Sequence, residues 1–453
     1  MDKMAIYHSL PVFAQNAACF MEGERIRRRR FSSYFEKKLR EYESHNNWSY
    51  DQLCEYRDAR FRKLIKHCYH TVPYYTRLFR EYGIDNTSMK RAEDLKRIPI
   101  LDKQTVKNHP DDFVSTAADK RRIKVHATSG TTGSPLAFRT TWNEEAEQWA
   151  LWWRYRQNLG IRRDMLCGQF GGKIVVGQGQ KKPPFWRYNS PCHQIYFSPI
   201  HISQDTWKDY CECIVHHGIR WIHGYPSILA LLAGYMLENH TRLDLDFVTT
   251  GAENLYPTQA DAIREAFLGG KDHLYQHYGL TEGAANISQN RAHEFVVDED
   301  FCVVELEPME DGLPLRRVIG TSLKYWTMPL LRYDTGDLAS VTMKDGKERI
   351  CSVDGRSSDL LLLPNGKKIS GAFFNLALKG IGGIRECQIV RTNSGIRLDI
   401  VKNRIYSVKD EQKLLYEIRQ RVGEMPVSIN EVAQIPRGKN GKMRLVVNEW
   451  NKL

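Results

Sequence analysis

Thr128-Ser129-Gly130-Thr131-Thr132-Gly133-Ser134-Pro135 gathers hydroxyls and two glycines into one short stretch. Residues of these types offer backbone N–H groups and side-chain hydroxyls to an anionic oxygen. The glycines let the backbone approach a ligand closely and take positive φ. Val125-His126-Ala127 before it reads as the end of a strand, and Leu136 to Thr141 alternates like the start of another. The stretch is not a Walker loop, because it lacks the G-x-x-x-x-G-K-[ST] spacing and the strand–loop–helix context. Taken alone it is equally a polar surface loop.

Five further motifs follow it in order: Gly251-Ala252-Glu253, Tyr278-Gly279-Leu280-Thr281-Glu282, Tyr333-Asp334-Thr335-Gly336-Asp337, Gly355-Arg356-Ser357-Ser358-Asp359 and Gly441-Lys442. In this order the set resembles the adenylate-forming superfamily of acyl-CoA synthetases and related ligases. Within it the chain is most similar to the phenylacetate–CoA ligase-like branch, which includes capsule-biosynthesis homologues. His67-Cys68-Tyr69-His70-Thr71-Val72-Pro73-Tyr74-Tyr75 and Leu95 to Lys103 are similar to that branch. The resemblance covers nearly the whole chain and rests on the order of six motifs rather than on any one.

The resemblance implies a definite chemistry. A carboxylate attacks the α-phosphorus of ATP and pyrophosphate leaves, so catalysis is mostly positioning and electrostatic stabilisation. The β- and γ-phosphates fall to Thr128, Ser129, Gly130, Thr131, Thr132 and Gly133. Many superfamily members carry a lysine just after this loop; here Pro135-Leu136 stands instead. Mg²⁺ or another residue must then neutralise the pyrophosphate. Glu282 is a hard oxygen ligand of the kind Mg²⁺ takes beside phosphates. Thr281 would donate to the α-phosphate, and Tyr278, followed by Gly279, would present a ring to adenine. Gly251, Ala252 and Glu253 resemble the adenine-side strip. Without the other motifs, Tyr278 to Glu282 reads as a strand end followed by a helix capped by Thr281, and Glu253 as a solvated charge.

Asp337 can accept both ribose hydroxyls, or be a turn residue after Gly336. Arg356 would add a charge-assisted bond to ribose or phosphate, or form a linker salt bridge. Asp359 resembles the hinge of the superfamily, where a few residues absorb the φ/ψ change. Lys442 matches the family lysine by its Gly-Lys spacing before Met443-Arg444, with Lys439 as a rival. A lysine that reaches the α-phosphate only when the small domain closes stabilises the transition state rather than the ground state. The plain alternative is a solvated basic tail. For the acid, His223 and Tyr225 are the candidates, with Trp221 nearby and Pro183 to Asn189 as a lining or cap. His223 is equally a packed core histidine, and no residue here separates an aryl acid from an amino acid or a sugar acid.

These residues need a scaffold. At 453 residues the chain exceeds one hydrophobic core and predicts at least two domains. Strands and helices alternate from Trp207 to Tyr278: helices over Trp207–His217, Pro226–Asn239 and Pro257–Phe267, strands over Ile219–His223, Phe247–Gly251 and His273–Tyr278. That alternation predicts an α/β layered body with ligands at the strand ends. Helices are expected over Tyr50–Tyr82, interrupted at Pro73, and over Asn143–Asn158. Residues 1–48 and Gly168–Pro191 read as irregular, the latter as a mobile loop. From Phe301 the pattern turns to hairpins. The fold class is therefore α/β: a large layered N-terminal body, 1–355, carrying the nucleotide and acyl site, and a small mobile α+β lid, 359–453, carrying Lys442. In that lid a hairpin at Leu360–Lys367, helices at Ala372–Leu378 and Lys409–Val422, and strands at Glu386–Val390 and Ile396–Val401 are expected.

Composition excludes little else. A content of 42% hydrophobic and 26% charged residues is that of an ordinary globular protein. No apolar run reaches the roughly 18 residues of a membrane span, and the N-terminus shows no secretory pattern. Ten scattered cysteines without a zinc-like pair of pairs predict reduced thiols in a cytoplasmic protein. The net charge of +12 is partly local, in Arg25 and Arg27 to Arg30. That cluster is a solvated helix end or a contact for an anionic surface.

Together these readings predict an AMP-forming acid ligase using ATP and Mg²⁺. The acyl group would pass to CoA, a carrier protein, another thiol, an amine or a hydroxyl. Transfer of AMP onto a small-molecule hydroxyl is the alternative, and a capsule-modification role is suggested by branch resemblance. A non-catalytic protein retaining the fold is disfavoured by the intact Glu282, Asp337 and Lys442. The oligomeric state is not legible.

Overall fold

The computed structural model describes residues 3–450 except 128–135, 310–314, 345, 358–359, 365, 367, 372–373, 375–376, 379 and 439–440. The phosphate-loop residues Thr128, Ser129, Gly130, Thr131, Thr132 and Gly133 lie outside the described residues, as do Asp359, Lys439 and most of the Ala372–Leu378 helix. The chain forms two compact units, each built from separate segments. One comprises Met1–Gly23, Asp164–Gln276 and Asp354–Leu453; the other comprises Glu24–Arg163 and His277–Val353.

In the first unit the strands Cys167–Phe170, Gln194–Phe197, Trp221–Gly224 and Phe247–Gly251 run parallel, with Trp186–Asn189 antiparallel at one edge. Parallel strands are covered on their faces and therefore read as apolar. Their cover is the expected helices, Trp207–His216, Pro226–Glu238 and Pro257–Phe267. Proline at the first turn of the last two fixes φ where the missing N–H costs nothing. One core, from Phe170 to Leu274, joins these helices to the sheet. Leu274–Gly279 lies beside Phe247–Gly251 and carries the chain into the second unit.

The expected loop over Gly168–Pro191 is instead two sheet strands and a pinned connection. Its anchor is Arg187, fully buried, which donates to Gln15 Oε1, Gln180 Oε1 and the Pro184 carbonyl, each at 2.8 Å. Residues 1–48 are likewise helical, at Lys3–Ser9, Val12–Arg30 and Ser33–Ser44, not irregular. Val12–Arg30 has no apolar stripe, and side-chain polar bonds hold it: Gln15 meets Arg187, and Asn16 accepts from the Tyr188 N–H. Contacts this distant in sequence leave no periodic signal.

The C-terminal part of this unit is a small α+β domain. Ile384–Thr392 and Gly395–Lys402 pair antiparallel, flanked by the parallel strands Val446–Asn448 and Val427–Glu431. The helix Val408–Val422 begins at a Ser407–Asp410 capping box. Its core, from Leu361 to Val446, is its own, with Tyr256 packed against it.

The second unit is helical at its start, with Tyr50–Thr71 ending where Pro73 forbids continuation and Trp142–Leu159 starting at a Thr141–Glu144 capping box. Its antiparallel strands Cys302–Pro308, Leu315–Ser322 and Tyr333–Lys344 are the expected hairpins. One core draws on Phe61 to Phe138 and Ala284 to Tyr333. A buried charge cluster adds to it. The Glu147 carboxylate lies 3.0 Å from the Lys324 ammonium and 3.3 Å from that of Lys38, and the hydroxyls of Tyr34 and Tyr42 donate to it.

Part of the basic cluster is structural. Arg29 and Arg30 both pair with Glu145, at 2.8 and 2.9 Å, and stack over Trp142 and Trp149. Arg27 and Arg28 are exposed and pair with Glu24. No described helix is long and apolar enough to cross a membrane. All ten cysteines are free thiols.

Candidate active site

The candidate residues fall into two sets, one in each unit. In the second unit, the chain leaves Gly279, turns at Leu280–Glu282 and returns antiparallel as Asn286–Gln289, placing Tyr278 opposite Ile287. This is a hairpin, so Thr281 caps no helix; it is exposed, while Glu282 is 7% exposed. Two residues absent from the motif hold the turn. Gln148 Nε2 donates to the Leu280 carbonyl at 2.8 Å, and the Tyr325 hydroxyl donates to Gln148 Oε1 at 2.7 Å. The Tyr325 ring also fixes the next residue. A Cβ on Gly283 would sit 1.9 Å from Tyr325 Cε2, and Gly283 has φ +60°. Only glycine fits both demands.

Tyr278 and Asp337 meet directly. The Tyr278 hydroxyl donates to Asp337 Oδ2 at 2.8 Å. Burial and the Asp337 charge push the phenol well above its ordinary range, so it stays a donor. Asp337 is buried on the strand Tyr333–Lys344, and its N–H donates to Thr335 Oγ1 at 3.1 Å. It is therefore a fixed carboxylate rather than a solvated turn residue, with one oxygen oriented by Tyr278. The neighbouring His277 lies between the rings of Trp152 and Tyr155 and bonds to Asn286 Oδ1 at 3.0 Å. Burial, then the Arg156 charge, lowers its pKa to about 3, so it is a neutral side chain at physiological pH.

In the first unit, His223 and Tyr225 leave the strand Trp221–Gly224. His223 Nδ1 lies 2.9 Å from Thr249 Oγ1, which also accepts from Trp221 Nε1 at 2.9 Å. His223 is thus a half-buried, hydrogen-bonded histidine on the sheet. Tyr225 packs its ring against Gly171, where an added Cβ would come within 2.8 Å of the ring. The Lys442 ammonium stands 5.5 Å from the Tyr225 ring centroid, close enough for a cation–π attraction. Lys442 is therefore no solvated tail.

The strip Gly251-Ala252-Glu253 turns sharply at the end of its strand. Ala252 takes φ +66°, a left-handed conformation uncommon outside glycine. Such strain costs roughly 1–3 kcal/mol and collects at functional sites. Glu253 is not a solvated charge: its two oxygens accept from the backbone N–H groups of Ser227 and Met443, at 3.2 and 2.9 Å. Arg356, half-buried, closes the strand Lys347–Arg356. Among the described residues no three metal-ligating side chains converge. A single buried carboxylate such as Glu282 suits an ion that arrives with its phosphates.

Residues 361–449 match the CapK C-terminal domain family. Over 98% of both chains, the protein is 23% identical to protein CapK of Staphylococcus aureus. A phenylacetate–coenzyme A ligase of Thermus thermophilus is 26% identical over 69% of this chain and 72% of its own. The chain is similar to CapK and to the phenylacetate–CoA ligases. Its fold matches a solved 2-hydroxyisobutyryl-CoA ligase in complex with 2-HIB-AMP, with a TM-score of 0.65 at 18% identity over 87% of this chain and 89% of that one. The large body and small C-terminal domain thus share the fold of that ligase. The similarity to CapK spans 98% of the chain, whereas the Thermus ligase aligns over 69% of it.

Proposed function

We propose that the protein activates a carboxylic acid with ATP as an acyl adenylate, releasing pyrophosphate, and then passes the acyl group to CoA or another thiol, amine or hydroxyl. The observation that carries this reading is the Tyr278–Asp337 hydrogen bond. It joins two family motifs lying 59 residues apart, as a shared nucleotide site requires. Asp337 binds the ribose hydroxyls with an orientation set by Tyr278, and the Tyr278 ring faces adenine beside Gly279. Gly251, Ala252 and the backbone of Glu253 contribute the strip on the base side, and Arg356 a charge toward ribose or phosphate. Thr128, Ser129, Gly130, Thr131, Thr132 and Gly133 receive the terminal phosphates by resemblance. Glu282 would hold Mg²⁺, which would supply positive charge beside the phosphates, and Thr281 would donate to the α-phosphate. Lys442 completes the site when the C-terminal domain closes. His223 and Tyr225 border the acid.

The test is carboxylate-dependent ATP–pyrophosphate exchange across aryl acids, amino acids, fatty acids and sugar acids. Exchange with one acid is expected. Silence across the panel, with nucleotide binding demonstrated, would favour AMP transfer onto a hydroxyl. A capsule-modification acceptor is the finer form of this reading, on the branch resemblance of the sequence alone. The exposed Arg25, Arg27 and Arg28 would suit an anionic partner.

Asp337→Ala should weaken ATP binding about ten- to a hundredfold, since a hydrogen bond to a charged group contributes about 1.5–3 kcal/mol. Unchanged affinity in an equilibrium titration would remove the ribose assignment. Gln148→Leu should leave ATP affinity alone and raise the Mg²⁺ concentration giving half-maximal exchange, because the Glu282 turn loses its tie at Leu280. An unaltered Mg²⁺ dependence would separate Glu282 from the metal.

A further inference from the structure

Glu253 carries the only charge of the Gly251-Ala252-Glu253 strip, and both oxygens of its carboxylate are engaged by backbone N–H groups. Oε2 accepts from the N–H of Ser227, in the first turn of the helix Pro226–Glu238. An anion at a helix start is favoured by the helix dipole. Oε1 accepts from the N–H of Met443 at 2.9 Å, the residue that follows Lys442. The same helix start receives the other side of the loop. Arg437 Nη1 donates to Ser227 Oγ at 2.8 Å, and its Nη2 pairs with Glu386. Between these two attachments the loop closes on itself, with the Gly438 N–H donating to the Lys442 carbonyl at 2.9 Å and the Gly441 N–H to that of Gly438 at 2.8 Å. Lys442 leaves this clasp toward Tyr225, the residue just before the helix.

We infer that Glu253 is a positioning residue for adenylation, its two oxygens joining the first turn of Pro226–Glu238 to the Met443 N–H and so seating Lys442 at Tyr225. This rests on the reading of Lys442 given above. Burial raises the Glu253 pKa above the ordinary carboxylate value, opposed in part by Ser227, Met443 and Arg437, and both of its oxygens are used as acceptors. The clasp acts on the step that uses Lys442 and leaves the other step alone.

Two readouts test it. The first is amide hydrogen exchange, which needs no substrate. E253A should lose protection at the amides of Gly438, Gly441 and Met443, while the helix Val408–Val422 keeps its own; equal protection of these amides in E253A and wild type overturns the clasp. The second is ATP–pyrophosphate exchange with the accepted acid. E253A should be slower by on the order of tenfold to a hundredfold, the size of a small misplacement of a catalytic group, with ATP affinity unchanged. E253Q, which keeps one acceptor oxygen, should fall between. Acyl transfer from supplied acyl adenylate should proceed at the wild-type rate. In a K442A background E253A should add nothing, because one residue acts through the other. An additive loss, or equal slowing of both half-reactions, assigns Glu253 to the general fold and overturns the inference. A wild-type protein silent with every acid sinks the ligase reading, and hydrogen exchange then still decides the clasp.

Discussion

Lys442→Ala should slow ATP–pyrophosphate exchange about a hundredfold, on the order of 3 kcal/mol, while ATP binds almost as before. The two halves of this expectation have one cause. A contact made only as the α-phosphorus becomes five-coordinate lowers the barrier without tightening the ground state. The ammonium stands at the Tyr225 ring, on a loop held at the start of Pro226–Glu238, so its loss leaves a site missing one charge. Lys442→Arg should recover only part of the rate, since a planar guanidinium does not replace a compact ammonium. The paired measurement is the exchange rate beside an equilibrium titration of nucleotide. A K442A protein turning over normally would strike Lys442 from the chemistry.

Glu147→Leu should destabilise the fold by about 3–5 kcal/mol, the cost of leaving one partner of a buried pair uncompensated. The Lys324 side chain is fully buried and Glu147 is its ion-pair partner at 3.0 Å. The double variant Glu147→Leu with Lys324→Met should regain most of that loss, because two apolar groups replace the pair. Urea unfolding reads both; a single variant within 1 kcal/mol of wild type (about a fivefold change in the folding equilibrium) would show the cluster to be solvated in effect. The pH dependence has a sign to check as well. Glu147 is held at about 2, against an ordinary 4.5, by Lys324, Lys38 and Arg60, which outweigh its burial. The unfolded chain therefore binds the extra proton between those values. The stability from Glu147 is full above pH 4.5 and is lost as pH falls toward 2. Lys324 is lowered by burial from 10.5 to about 8. Between pH 8 and 10.5 the unfolded chain again holds more protons, so the strain of burying this charge is relieved as pH rises through that window. Removing Glu147 should flatten the acid limb.

What the sequence reveals follows from the range of the forces involved. The strands Trp221–Gly224 and Phe247–Gly251, the helices that cover them and the hairpins after Phe301 are set by local apolar spacing and punctuation, and they stand where those signals put them. The small C-terminal domain is legible for the same reason. The motif Tyr278 to Glu282 could be found but not its shape, because a Thr-Glu pair after glycine suits both a capped helix and a tight hairpin. The decision lies with Gln148 and Tyr325, distant residues whose types carry no signature of that role. Glu253 looked solvated because its donors are backbone groups of Ser227 and Met443. The helices before His45 and the strands around Arg187 were missed on the same grounds: polar side chains meet there across 172 residues.

The interleaved segments have a consequence for how the chain is made. The core from Phe170 to Leu274 is continuous in sequence and can close as soon as that segment leaves the ribosome. The core that begins at Phe61 cannot. Its early half ends at Phe138 and its later half begins at Ala284, 146 residues on (284 − 138). At ordinary synthesis rates of 5–20 residues per second, that gap lasts roughly 7–30 s. For that interval the early half of this core is without its later half, Ala284 to Tyr333, and a nascent-chain chaperone has its longest opportunity there.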